Sequence, residues 1–134
     1  MSDPHPTYVT DTHSLLWWLT RPQKLRPAAS AAFAEVEATA ADLIVPIIVI
    51  AELIFIAESS RAEVDLDDAL TRLQTRPNVH IQPLDLPRVI ALRTLTAIPE
   101  MHDRLIVAEA LARQVRLITK DEAIVTSGVV ATVW

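Results

Sequence analysis

Four short β-prone runs, at 7–10, 43–46, 79–84 and 115–118, recur along the chain with stretches of helical periodicity between them. That alternation limits the architecture more than any other feature. Neighbouring antiparallel strands can be joined by tight turns, whereas parallel strands need a crossover long enough for a helix. Leu43-Ile44-Val45 is apolar at every position, the mark of a strand covered on both faces. Helices are expected at 12–20, 28–39, from Ile47 through Ala57, at 66–76, at 85–98 and from Asp103 to Gln114. A last β-prone run, 129–134, follows a polar segment. The order β-α-α-β-α-α-β-α-α-β-β predicts an α/β fold with a mainly parallel central sheet flanked by helices on both faces. No repeat, low-complexity tract or linker divides residues 1–134, so one domain is expected.

Several function classes drop out on composition. The chain has no cysteine, which removes disulfides, thiolate metal sites and cysteine nucleophiles. Its one glycine, Gly128, cannot build a phosphate-cradling or dinucleotide-binding loop. The residues from Met1 to Pro6 lack a basic-then-apolar leader pattern. The most apolar run, 43–57, contains Pro46 and Glu52 and is shorter than the ~20 residues that span a bilayer. A cytoplasmic protein without a membrane segment is therefore expected. The net charge of −5 argues against a generic nucleic-acid-coating protein. The 51% hydrophobic content leaves apolar surface that a dimer or a tightly held partner would cover.

Four acids then stand out. Asp11 follows the first strand, where an ordinary helix N-cap is the plain alternative. Glu52 is the lone charge in an apolar helix, where an unpaired carboxylate is costly. Asp103 falls in the first turn of a helix, and Asp121 lies just past the strand that follows it. Ligand sites in parallel α/β sheets gather outside the carboxyl ends of the strands. Acids collected there repel one another unless hard cations intervene, and oxygen ligands suit Mg²⁺ or Mn²⁺. Such ions activate water and clamp the oxygens of an in-line displacement at phosphorus, so phosphodiester hydrolysis is the expected chemistry.

Other readings are weaker. His5, His13, His80 and His102 lack paired zinc spacing, and only His13 stands close enough in sequence to Asp11 to face the same site. No Gly-x-Ser-x-Gly elbow exists. Trp17 and Trp18 are expected as core or interface anchors, and Arg104 as the ion-pair partner of a nearby acid. Arg21, Lys24, Arg26, Arg61, Arg113, Arg116 and Lys120 are candidate rim bases for a polyanion.

The blocks Tyr8-Val9-Thr10-Asp11-Thr12-His13 with Leu15-Leu16-Trp17-Trp18-Leu19, Ile50-Ala51-Glu52-Leu53, His102-Asp103-Arg104-Leu105-Ile106-Val107-Ala108 and Leu117-Ile118-Thr119-Lys120-Asp121 resemble the PIN-domain ribonucleases, in particular the VapC-type toxins of bacterial toxin–antitoxin pairs. They span nearly the whole chain in that family's order. The resemblance implies a PIN-like three-layer fold and a Mg²⁺- or Mn²⁺-dependent endoribonuclease acting on RNA, usually a homodimer, held in check by a cognate antitoxin. It carries the family's four acids onto Asp11, Glu52, Asp103 and Asp121, and a strand-end hydroxyl onto Thr119. Many relatives have a further acid before the Asp-Arg pair, where Glu100 is nearest here, and the common Pro-Phe is replaced by Met101-His102. A catalytically silent PIN-like scaffold module is the alternative from another class.

Overall fold

The computed structural model describes residues 5–59 and 64–134. Its elements run β1 (Thr7–Thr10), α1 (Thr12–Thr20), α2 (Pro27–Glu37), β2 (Asp42–Pro46), α3 (Ile47–Glu58), α4 (Leu66–Thr75), β3 (Val79–Gln82), α5 (Leu86–Ala91), α6 (Met101–Arg113), β4 (Arg116–Ile118), α7 (Glu122–Ser127) and β5 (Thr132–Val133). The five strands form one sheet in the order β3-β2-β1-β4-β5, with every pairing parallel. Leu43, Ile44 and Val45 point alternately to opposite faces of β2, and all three are buried. Both faces of the sheet are therefore covered, as the uninterrupted apolar run requires.

The order of strands places a crevice. From β1 the chain steps to β2 and β3 on one side, and β4 then returns to the other side of β1. The connections leaving β1 and β4 diverge, and their carboxyl ends stand abreast, with Thr10 in register with Ile118. A reversal of this kind opens a ligand crevice between the two strand ends.

The core beneath holds Phe33, Leu15, Leu53, Ile106 and Leu117 at full burial. Trp18 stacks on Phe33 at 4.8 Å, and its indole N–H donates to Glu37 at 2.7 Å; this half of the tryptophan pair is a core anchor. Within α6, Glu109 is buried but bracketed by the guanidinium groups of Arg88 (2.5 Å) and Arg113 (2.8 Å). Arg113 is thus a structural partner and not a rim base. Arg116 is likewise committed, lying over the Tyr8 ring at 5.2 Å. Arg61 lies outside the described residues, as do residues 1–4, 60, 62 and 63.

Three expectations are corrected here. The segment after Asp121 is not a plain loop: α7 fills it, capped by Asp121 and ended by Gly128 at φ 66°. Parallel strands β4 and β5 need such a crossover, and six residues are too few to show a period in the sequence. The helix expected to run to Ile98 stops at Ala91, followed by a 3-10 turn at Leu92–Thr94. Arg104 explains what holds this altered loop. Its side chain donates to the carbonyls of Ile98 (2.5 Å) and Leu92 (3.4 Å), so it binds backbone and not a neighbouring acid. Arg104→Ala is expected to lower stability by ~1.5–3 kcal/mol, the range for charged hydrogen bonds. Thermal unfolding would measure it, and Arg104→Lys, which lacks the planar fork, should recover little.

Candidate active site

Asp11 comes first off β1 and its position is fixed from three sides. Its backbone N–H donates to the Ile118 carbonyl at 3.2 Å, continuing the β1–β4 ladder by one residue. Its Oδ1 accepts from the backbone N–H of Ser14 at 2.9 Å, and its Oδ2 accepts from the Thr119 hydroxyl at 2.5 Å. It is an N-cap, as the plain alternative held, and at the same time an acid locked at the crevice. Burial pushes its carboxyl above the ordinary value, against the hydrogen bonds from Ser14 and Thr119 that favour the charge.

Thr119 relays the arrangement to the neighbouring strand end. Its hydroxyl accepts from the backbone N–H of Asp121 at 3.0 Å while donating to Asp11. Asp121 then caps α7 by accepting from Ile124 at 3.1 Å. On the far wall, Glu52 of α3 accepts from the Thr12 hydroxyl at 2.7 Å. Asp103 sits in the first turn of α6, behind Glu100, which caps that helix by accepting from the Asp103 backbone at 2.8 Å.

Asp11, Glu52, Asp103 and Asp121 all line one cleft of about 830 Å³, together with Thr12, His13, Trp17, Glu100, His102 and Lys120. No Lys or Arg ion-pairs with any of these four acids among the described residues. The nearest basic side chain is an imidazole: His102 Nδ1 stands 3.1 Å from Glu100 and 3.7 Å from Glu52. Burial, and then the fields of Asp121, Glu100, Asp11 and Glu52, push Asp103 from 3.8 up to about 7. The N-termini of α1 and α6 face this cluster through Asp11 and Asp103, and their dipoles offset part of the repulsion.

That donor set fits a hard divalent cation. It is all oxygen, strongly anionic and short of internal counter-charge. Among the described residues no three acids or histidines already stand at ligating distance of one point. This suits an ion that keeps several waters and is held by one or two carboxylates at a time.

The structure also brings in residues the sequence did not single out. Thr12 gave no signal, because its value lies in reaching Glu52 across two helices. His102, which the sequence left without a role, lines the cleft between Glu100 and Glu52. His13 faces the cleft, as its nearness to Asp11 allowed. Trp17 is half-buried and lines the cleft, so it is not the core anchor that Trp18 is. The helical i, i+4 spacing of His13 and Trp17 was a usable sign that they share a face.

The PIN domain family model matches residues 8–126. This chain belongs to the PIN-domain family. Among curated relatives, Ribonuclease VapC22 of Mycobacterium tuberculosis (strain ATCC 25618 / H37Rv) is 32% identical over 120 residues, covering 86% of this chain and 87% of that protein. Solved structures share the PIN fold at lower identity. The VapBC2 structure from Rickettsia felis, bound to a promoter DNA fragment, aligns with a TM-score of 0.71 at 17% identity, covering 94% of this chain and 96% of that one. The FitAcB structure from Neisseria gonorrhoeae gives 0.67 at 18% identity, over 93% and 95% of the two chains. The five-stranded parallel sheet with seven α-helices among the described residues is the PIN-like α/β fold that the sequence blocks implied. No described helix is long and apolar enough to cross a membrane.

Proposed function

We propose that residues 1–134 form a single PIN-type domain that hydrolyses RNA phosphodiester bonds as a Mg²⁺- or Mn²⁺-dependent endoribonuclease, the toxin of a cytoplasmic toxin–antitoxin pair. The observation that carries this reading is the cleft itself: Asp11, Glu52, Asp103 and Asp121 converge at the β1–β4 switch point, and among the described residues no lysine or arginine forms an ion pair with any of them. Asp11, Glu52, Asp103 and Asp121 are the acids that would hold the ion, one or two of them at a time. A bound divalent ion supplies a water acidified toward neutral pH and charge stabilisation at phosphorus. Thr119 keeps the Asp11 carboxylate aimed into the cleft, and Thr12 does the same for Glu52. Lys120, on the rim, offers positive charge to a phosphate entering an otherwise acidic cleft.

An antitoxin partner is supported by likeness to VapBC2, whose structure is that of a complex. A homodimer is supported by apolar side chains left open on α3 and around α5: Phe55, Leu86 and Ile90 are 73%, 69% and 50% exposed.

The deciding experiment incubates purified protein with total RNA in Mg²⁺ or Mn²⁺, beside a chelator control and Asp11→Asn. Discrete fragments that need the metal and vanish in the variant are expected; cleavage that survives the chelator would overturn the reading. A milder test concerns positioning. Thr12→Val should leave the fold intact and lower kcat/KM ~10–100-fold, the usual effect of removing a partner that orients a metal-site carboxylate. Steady-state cleavage kinetics would measure it.

A further inference from the structure

A second pocket, of about 470 Å³, opens beside the carboxylate cleft and shares Trp17 and Lys120 with it. Its remaining walls include Lys24, Arg26, Gln23 and Trp134. The Trp17 and Trp134 rings stand 5.7 Å apart, tilted by 53°, so they form an open V and not a closed stack. Two ammonium groups approach the same Trp17 ring, Lys120 at 4.7 Å and Lys24 at 5.6 Å.

The charges make this arrangement unusual for the chain. Acids outnumber Lys and Arg 17 to 12, yet Lys24, Arg26 and Lys120 form no ion pair with a carboxylate among the described residues. Three other bases are paired with carboxylates, Arg72 with Asp68, and Arg88 and Arg113 with Glu109. Cations gathered around half-buried indole, next to a site for phosphodiester chemistry, match what single-stranded nucleic acid asks for: a π-face for the base and positive charge for the backbone.

The geometry points to this pocket as a nucleotide subsite, in which one base of single-stranded RNA stacks on Trp17 while Lys24, Arg26 and Lys120 take the adjoining phosphates. The inference rests on the ribonuclease reading for the identity of the polymer. A base entering the V takes the ring face that the lysines now cover, and their flexible stems swing the ammonium groups outward to phosphate. The shared wall means that a strand seated here continues directly into the carboxylate cleft. The subsite therefore sets which nucleotide, counted from the scissile bond, is gripped.

The test is a titration that needs no cleavage. Full-length Asp11→Asn protein is titrated with a five-nucleotide RNA, following tryptophan fluorescence across a range of salt. Lys24→Gln and Arg26→Gln, each added to that background, should weaken binding ~5-fold or more at low salt. Each should also flatten the salt dependence by ~0.7 in log–log slope, the value for one phosphate contact on a single strand. Arg116→Gln, an equal change of charge at the amino edge of β4, should alter neither. Equal affinities and slopes in all variants, or no binding by any of them, would overturn the subsite. Cleavage by the parent is scored separately: active parent with unchanged Lys24→Gln and Arg26→Gln titrations removes the subsite and leaves the nuclease standing.

Discussion

Asp11→Asn is expected to fold as the parent does and to cleave RNA on the order of 10³-fold more slowly, because several kcal/mol of charge stabilisation by the ion are at stake. Asparagine keeps the oxygen that accepts from Ser14, so the cap on α1 survives. Its amide can donate to the Thr119 hydroxyl, which turns to accommodate it. The buried position disfavours a charge, so a neutral side chain should cost the fold nothing and raise the melting temperature slightly in the absence of metal. Circular dichroism and a thermal scan beside the cleavage assay would separate the two effects. A variant that melts like the parent yet retains full activity would remove Asp11 from the chemistry.

The second large effect is on stability against pH. Asp103 titrates near 7 in the folded, metal-free protein against 3.8 for a free side chain, driven first by burial and then by Asp121, Glu100, Asp11 and Glu52. A carboxyl whose folded value is raised contributes stability that is complete below its unfolded value and is lost as pH rises through the folded one. Asp11 is displaced in the same direction by burial. Asp42 is displaced the other way, chiefly by its hydrogen bond from His5, so its contribution is lost only in acid. Between about pH 4.5 and 7.5 the Asp103 effect should therefore dominate, at ~1–2 kcal/mol once solvent screening of this half-buried group is allowed for, with little further change above that. The metal-free parent should melt lower at the alkaline end, and Asp103→Asn should show a flatter profile. Mn²⁺ at about a hundred times its dissociation constant should add ~2.7 kcal/mol to the parent, most of it above neutrality. The variant should lose most of that gain. A parent indifferent to both pH and Mn²⁺ would mean that the cleft acids do not feel one another.

Asp11, Asp103 and Asp121 were legible in the sequence because each sits where the chain turns from strand to helix or opens a helix, Glu52 because it is the lone charge in an apolar helix, and the topology that gathers them follows from short apolar strands. What was hidden depends on contacts distant in sequence. Thr12 and Glu52 are forty residues apart and meet only because α1 and α3 come together. Glu109 is a buried charge that no local signal explains, because its partner Arg88 arrives from another helix. Arg104 stands next to Asp103 in sequence but turns away to the carbonyls that end the preceding turn. α7 escaped notice because a helix of six residues has no period to detect, and its caps, Asp121 and Gly128, were the only signs of it.

Asp11 and Asp121 each commit one oxygen to the first turn of a helix, and this has an evolutionary consequence. A cell escaping a toxic nuclease by point mutation has unequal routes at these positions. Exchange for an aliphatic residue silences the cleft and strips a cap worth ~1 kcal/mol, so the product is also less abundant. Exchange for asparagine leaves a durable, inert copy that still occupies whatever binds the native surface. Selection for escape alone accepts either outcome, whereas selection to keep a decoy accepts only the second.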